Sequence, residues 1–292
     1  MDARAVLHDS GSRALTVSQM VSRIVANAPF YFLVAVRCFA FIMVLPLFSS
    51  RAFSRIVKVA LAGYVAYLVF PRVDFSPYAP FVSLNRFGDS EFSIEYVILL
   101  VGEGIIGVLM GLFVHIIFSA FSSAGQFFSF QMGFSASEVY DALNQVENPL
   151  MGQFFNFVAM LIFLQSGWAQ QVFSSALSSS FESLNALSLV AERERIVRFV
   201  LDGLTRLFSD AFVIALPIMG TLSLVTVTMG ILSKAAPQMN LLSEGFPIMI
   251  LLSFFIILAI LPQLCEFFTH SFVDGFGEIG RLFSAVSEGG GS

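Results

Sequence analysis

The feature that most constrains this sequence is a series of long apolar stretches with almost no charge. A helix of about 20 apolar residues crosses the hydrocarbon core of a bilayer, so roughly six segments are candidate crossings. These stretches are 30–48, 56–70, 94–130, 154–173, 211–233 and 245–265. The strict alternation of apolar and polar residues that would predict a membrane β-barrel is absent. The sequence therefore predicts an all-α, membrane-associated fold.

The charge content supports this prediction. Only 12% of the residues are charged, whereas soluble domains average about a quarter, so much of the surface must contact lipid or other protein. The net charge is −5, and nucleic-acid binding needs clustered Lys and Arg on one face. The nearest basic cluster, Arg193 to Arg198, also contains Glu194. Nucleic acid is therefore excluded as an expected partner.

Two features argue against an ordinary bundle of lipid-spanning helices. If the basic turn containing Arg51, Arg55 and Lys58 lies in the cytoplasm, strict alternation puts the segment 193–206 outside, against the positive-inside rule. The chain also has 35 Phe but only one Trp and six Tyr, which is few for an aromatic belt at the membrane interface. Helical hairpins buried against other subunits would explain both features. An ordinary bundle with weak charge bias remains an equal alternative.

The prolines predict interrupted helices, and the glycines predict close packing of one helix against another. Each proline within or beside the apolar stretches removes a backbone donor and kinks or ends its helix. These prolines are Pro46, Pro149, Pro217, Pro237, Pro247 and Pro262. Gly104, Gly107 and Gly111 share one helical face, and the last two have the GxxxG spacing that lets another helix approach closely.

Candidate catalytic chemistry is sparse. Glu103 and His115 lie in the longest apolar stretch, but twelve residues separate them, roughly 18 Å along a helix, which is too far for direct proton exchange. The sequence has no HExxH or GxSxG motif and no metal-ligand spacing of Cys and His. We therefore expect no enzymatic activity, no metal and no cofactor, with an intramembrane hydrolase as the enzyme-class alternative.

The segment 125–149 is the most unusual in the chain. Phe and Met give way to small residues, then to acidic residues and Pro149, between two long apolar stretches. A loop bearing Phe and Met inside an assembly could close a pore by excluding water. The residues alone favour an ordinary interhelical turn with solvated acidic side chains.

Several motifs in this sequence resemble the FliR family of flagellar export-gate proteins. Gln131-Met132-Gly133 matches a family motif, and 234–240 (Lys-Ala-Ala-Pro-Gln-Met-Asn) followed by Gly245-Phe246-Pro247 is the most specific signal. Further family landmarks arrive in the same order: Arg37, Pro46, Arg51, Arg55, Lys58, Gly107 and Gly111. The resemblance covers roughly 16–285, read as one domain, with 1–15 as an extension and 286–292 as a tail ending in a Gly-Gly-Gly-Ser linker. Virulence-type secretion systems use a similar group, SctT, but Gly245-Phe246 before Pro247 favours the flagellar branch.

The resemblance implies a non-enzymatic subunit of a helical export gate, in which a FliP-like part is joined to a FliQ-like part through kinked hairpins. Expected partners are FliP-like and FliQ-like subunits, an FlhB-like subunit, membrane lipid and unfolded export substrates. The expected location is the bacterial inner membrane at the flagellar basal body, with part of the assembled gate on the periplasmic side. Alternatives are a virulence-type gate subunit and a small-molecule transporter.

The resemblance also implies residue roles. The pore plug falls on Gln131 to Asp141, with Met132, Gly133 and Phe134 at its start. Two departures, Gln126 where the family often has Glu and Ala142 where it often has Pro, leave the distal shape of the plug open. Assembly and helix-packing roles fall on Arg37, Pro46, Lys58, Gly107, Gly111, Pro237, Gln238, Gly245, Phe246 and Pro247.

Overall fold

The computed structural model describes residues 27–49, 53–81, 94–133, 150–186, 193–235 and 241–289, and these residues form helices and turns without a strand. The predicted all-α fold is confirmed for this part of the chain. The α-helices, in order, are α1 (Asn27–Val44), α2 (Pro46–Ser49), α3 (Arg55–Val69), α4 (Ile94–Met132), α5 (Leu150–Gln165), α6 (Trp168–Gln171), α7 (Leu177–Ser183), α8 (Arg193–Ala235) and α9 (Leu241–Gly289). A 3₁₀ turn, Phe70–Arg72, follows α3, and a π-helical turn, Val172–Ala176, precedes α7.

Local sequence explains several helix ends. The Ser54 hydroxyl caps α3 by accepting a hydrogen bond from the Val57 N–H. Pro71 follows α3 in the 3₁₀ turn. Gly133 (φ 86°) ends α4, and Gly167 (φ 72°) separates α5 from α6, because both take left-handed conformations that glycine adopts without steric cost.

Within the described residues, four helices are long and apolar enough to cross a membrane: Asn27–Val44, Ile94–Met132, Arg193–Ala235 and Pro247–Arg281. The other two predicted crossings, 56–70 and 154–173, do not form helices of that length. The first lies in α3 and the 3₁₀ turn, and α3 has 15 residues. The second begins in α5, which has 16 residues and ends at the turn made by Gly167.

Pro217 in α8 and Pro247 and Pro262 in α9 lie inside their helices and do not end them. Near the first of these, the Thr221 hydroxyl donates to the Pro217 carbonyl oxygen at 2.7 Å. Pro149 and Pro237 lie outside the described residues.

The chain divides into two compact units that are interleaved along the sequence. The first unit contains α1, α3, α4 as far as Gly111, and α7. The second contains α4 from Leu112, together with α5, α6, α8 and α9. The core of the second unit is a cluster of buried phenylalanine rings, Phe118, Phe163, Phe268 and Phe272, with centroids 4.7–5.8 Å apart. These separations are those of favourable aromatic pairs.

Candidate functional site

The centre of the first unit is a buried ion pair between Arg37 of α1 and Glu103 of α4. The Arg37 Nε and Nη2 atoms each lie 2.6 Å from Glu103 Oε2, and the two side chains are 0% and 1% exposed. Each residue is the single charge in its part of an apolar helix, so each would carry an uncompensated charge without the other. Removing one partner of such a pair is strongly destabilising because the remaining charge stays buried.

Further hydrogen bonds complete the surroundings of this pair. Arg37 Nη1 donates to Ser180 Oγ at 3.1 Å, and Nη2 donates to the Leu184 carbonyl oxygen at 2.8 Å. The Tyr78 hydroxyl donates to Glu103 Oε1 at 2.5 Å. The Phe181 ring packs on the guanidinium carbon at 3.9 Å. Arg37 thus joins α1, α4 and α7 through charge-assisted hydrogen bonds.

Tyr78 lies in the loop after the 3₁₀ turn, outside the long apolar helices. Burial raises its pKa above the ordinary value, and the nearby Glu103 carboxylate raises it further. The hydroxyl therefore keeps its proton at neutral pH and remains a donor to Glu103.

The glycines of α4 face α1 in the same unit. A Cβ on Gly107 would overlap the Arg37 carbonyl oxygen and lie 3.0 Å from Ala40 Cβ. A Cβ on Gly111 would lie 2.8 Å from Val44 Cβ and 2.9 Å from the Phe41 carbonyl oxygen. Only the absence of side chains at these two positions permits this approach, which in turn places Arg37 beside Glu103. The close helix contact at these glycines is made within the chain.

The expected plug begins where α4 ends. Gln131 Nε2 donates to Ser223 Oγ of α8 at 2.5 Å, while Gln131 Oε1 is buried and has no hydrogen-bond partner among the described residues. Met132 is fully buried, and the Gly133 N–H donates to the Phe130 carbonyl oxygen at 3.3 Å. Phe134 and Asp141 lie outside the described residues.

The remaining predicted positions are dispersed. Pro46 and Gly245 are buried, and a Cβ on Gly245 would lie 3.3 Å from Met229 Cε. Lys58 is also buried, whereas Pro247 is exposed. Pro237, Gln238 and the Phe246 side chain lie outside the described part.

A second charged cluster, which the sequence patterns did not single out, joins α8 to α9 in the second unit. Arg206 donates to Glu278 and, at 3.1 Å, to Asp274, and lies 3.9 Å from Asp210. Ser271 donates to Asp210 at 3.3 Å. The sequence signal for this cluster was a spacing of four residues, which puts two side chains on the same face of a helix. Arg206 and Asp210 have this spacing in α8, and Asp274 and Glu278 have it in α9. No group of three or more His, Cys, Asp or Glu side chains within the described ranges could hold a metal ion.

His115, a candidate relay partner for Glu103, has a buried Nδ1 atom without a hydrogen-bond partner in the described part of the chain. Glu103 instead bonds to Arg37 and Tyr78.

Comparison with known proteins identifies a family. The family described as "Bacterial export proteins, family 1" matches residues 28–275. The chain belongs to this family.

Named relatives of this chain include FliR proteins and a SpaR protein. The chain is 28% identical to the flagellar biosynthetic protein FliR of Bacillus subtilis (strain 168) over 199 residues, 68% of this chain and 72% of that protein. Identity to FliR of Pectobacterium carotovorum subsp. carotovorum is also 28%, over 257 residues, 86% of this chain and 92% of that protein. Identity to the surface presentation of antigens protein SpaR of Shigella sonnei is 35% over 140 residues, covering 48% and 53% of the two chains.

These matches place the chain in the FliR family. The four long apolar helices found in the described part of the chain are each long enough to cross a membrane.

Proposed function

We propose that this chain is a non-enzymatic channel subunit of the flagellar type III export gate, which passes unfolded flagellar proteins across the bacterial inner membrane. Its partners in the gate are FliP-like and FliQ-like subunits and an FlhB-like subunit. Part of the assembled gate lies on the periplasmic side, and a FliP-like part and a FliQ-like part make up the chain. The family match over residues 28–275 carries the proposal.

The surface of α8 supports assembly with other subunits. Its exposed large apolar side chains extend from Val197 to Leu232, about 52 Å along a straight helix. The hydrocarbon core is about 30 Å thick, and a tilt of about 40° still leaves roughly 40 Å to cover. Lipid therefore covers only part of this surface, which leaves the rest available to sister subunits.

The first turns of α8 support a subunit contact at the start of this helix. Exposed Arg198 and Asp202 place this part outside the hydrocarbon core, because charges at membrane depth are costly. Val197, Leu201 and Leu204 are nevertheless exposed beside them. An apolar face outside the hydrocarbon core fits helices of sister subunits.

The polar groups farther along α8 suit a dry neighbour. The hydroxyls of Thr221, Thr226 and Thr228 each donate to the carbonyl oxygen four residues earlier, at 2.7–2.9 Å. Their donor capacity is satisfied within the helix, as an apolar environment requires. This arrangement suits lipid and a tightly packed subunit equally well.

We propose that a plug closes the pore when no substrate is present. The plug begins at Gln131-Met132-Gly133 and includes Phe134 and Asp141. Two observations support this assignment. The positive φ of Gly133 ends α4, and the Gln131 bond to Ser223 with the burial of Met132 fixes the start of the segment. An apolar side chain in a narrow pore excludes water and hence ions.

Ion conductance of the assembled gate tests the channel and the plug together. Phe134→Ala, or deletion of residues 132–138, should make the gate leaky to ions in planar bilayers. Phe134→Leu should keep the pore tight, since it retains an apolar side chain, and Phe255→Ala on the exposed face of α9 is the control outside the plug. Unchanged conductance in both plug variants, with the gate assembled, would contradict the plug assignment.

The SpaR similarity favours a second candidate, a gate subunit of a virulence-type secretion system. Genetic complementation separates the two. The flagellar assignment predicts that this chain restores swimming to a strain lacking its own FliR. Restoration of effector secretion without swimming would support the virulence type.

A small-molecule transporter is a third candidate, and it would catalyse substrate-dependent uptake into liposomes without partner chains.

A further inference from the structure

The backbones of α4 and α5 contact each other at a pair of buried glycines, Gly125 and Gly152. A Cβ on Gly125 would lie 2.6 Å from the Met151 carbonyl oxygen and 2.8 Å from both the N and the Cα atom of Gly152. A Cβ on Gly152 would lie 3.0 Å from the Ser122 carbonyl oxygen. Backbone atoms cannot give way as the end of a flexible side chain can. Any side chain at Gly125 would therefore push the two helices apart.

This glycine contact lies close to the end of α4 and to the start of α5. Gly152 is the third residue of α5, which begins at Leu150. Gly125 lies about two helical turns before Met132, the last residue of α4. One contact therefore sets both where the chain leaves α4 and where it enters α5.

Aromatic contacts hold the last two turns of α4 against α5 and α8. Phe128 packs edge-to-face on Phe155 of α5, with ring centroids 5.2 Å apart, and both side chains are buried. Phe127 stacks on Phe212 of α8, with ring centroids 4.8 Å apart. Close-packed side chains of this kind resist displacement. Together with the fully buried Met132, they keep the end of α4 in a defined position within the second unit.

We propose that Gly125 and Gly152 are positioning residues for the pore plug. Their backbone contact holds the end of α4 and the start of α5 at the spacing that the closed pore requires. The inference rests on the proposed plug function, and both glycines act through the helix ends, since neither has a side chain that could enter a pore. A wider spacing of α4 and α5 would displace the plug and admit water, and hence ions.

Ion conductance of the assembled gate in planar bilayers tests the proposal, with thermal stability of the purified gate measured in parallel. Gly125→Ala should raise the leak conductance about tenfold, the order of shift that overpacking imposes on a closed–open equilibrium. Gly152→Ala should raise it less, because its Cβ would overlap its neighbours less.

Gly102→Ala is the matched control on the same helix. Its Cβ would also lie 2.6 Å from the nearest atom, the Ala186 Cβ, but that contact belongs to the first unit. This variant should lower the thermal stability of the gate without a leak, which separates positioning of the plug from a general loss of packing.

Gly152→Ala keeps the test decisive if Gly125→Ala does not assemble, because its smaller overlap perturbs the fold less. Tight pores in both of these variants, with Phe134→Ala leaky, would overturn the inference and leave the plug assignment standing. Tight pores in all three would reject the plug itself and this inference with it. An equal leak from Gly102→Ala would show general loosening of the fold and would also overturn the inference.

Discussion

Each unit contains one arginine that links helices through carboxylates, but the two arginines lie in opposite environments. Arg37 and Glu103 are 0% and 1% exposed, and both are enclosed by the first unit. Arg206 in the second unit is 29% exposed, and its partner Asp274 is 61% exposed. The same ionic chemistry therefore has different consequences. Breaking the buried pair leaves an uncompensated charge, whereas water can replace the partners of the exposed one.

The largest effect that distinguishes the units is expected from Arg37→Met. Glu103 would remain buried with Tyr78 as its remaining side-chain partner in the described part of the chain, so the free energy of unfolding should fall by about 3–5 kcal/mol. Reversible unfolding in mixed detergent micelles measures this change. The double variant Arg37→Met, Glu103→Leu should recover much of the stability, because it leaves no isolated charge. A single variant as stable as the wild type would remove the distinction between the units.

The next effect concerns the helix contact that positions Arg37. Gly107→Ala should cost about 1–3 kcal/mol, because its Cβ would overlap the Arg37 carbonyl oxygen and force the two helices apart. Gly104→Ala is the matched control, since its Cβ would make an ordinary 3.5 Å contact with Val36 Cγ1. Equal stability of the two variants in the same micelle assay would show that close packing at Gly107 is unimportant.

Tyr78→Phe should lower the free energy of unfolding by about 1–3 kcal/mol, because Glu103 Oε1 loses its donor inside the protein.

The same variant tests how the stability of the first unit depends on pH. The pKa of Tyr78 is raised above its ordinary value of 10.0, so above pH 10 the unfolded chain loses a proton that the folded chain retains. Stability conferred by Tyr78 should therefore decline as pH rises above 10. Parallel declines in wild type and Tyr78→Phe would refute this linkage.

The smallest effect is expected in the second unit. Arg206→Gln should change the free energy of unfolding by less than about 1 kcal/mol, since its partners are partly solvated. The difference from wild type should shrink further as salt is raised from about 0.05 M to about 0.5 M. A loss as large as that of Arg37→Met would show that the two arginines have equal structural roles.

Much of this architecture follows from local sequence, because apolar stretches and glycine spacing act over a few helical turns. The all-α fold and the close approach at Gly107 were accessible on that basis. The Arg37–Glu103 pair was not identified, since 66 residues separate the partners and only the fold brings them together. The clue was that lone opposite charges in two apolar helices need compensation.

Other features depended on local details that hydropathy does not report. Gly167 ends α5 after 16 residues, so 154–173 does not form the predicted crossing. The Arg206 cluster repeats a four-residue spacing on two helices, but pairing them required the contact between α8 and α9. The family resemblance, by contrast, rested on short motifs in order, and the match over 28–275 confirmed it.

Co-purification is the decisive experiment on whether this chain is one subunit of an export gate. The full chain would be expressed with FliP-like and FliQ-like chains from the same organism, extracted in mild detergent and weighed by native mass spectrometry. We expect one defined complex containing all three chains, in which Val197, Leu201 and Leu204 of α8 become protected from solvent labelling. A stable monomer with these side chains still accessible, while the other two chains assemble without it, would contradict membership of the gate.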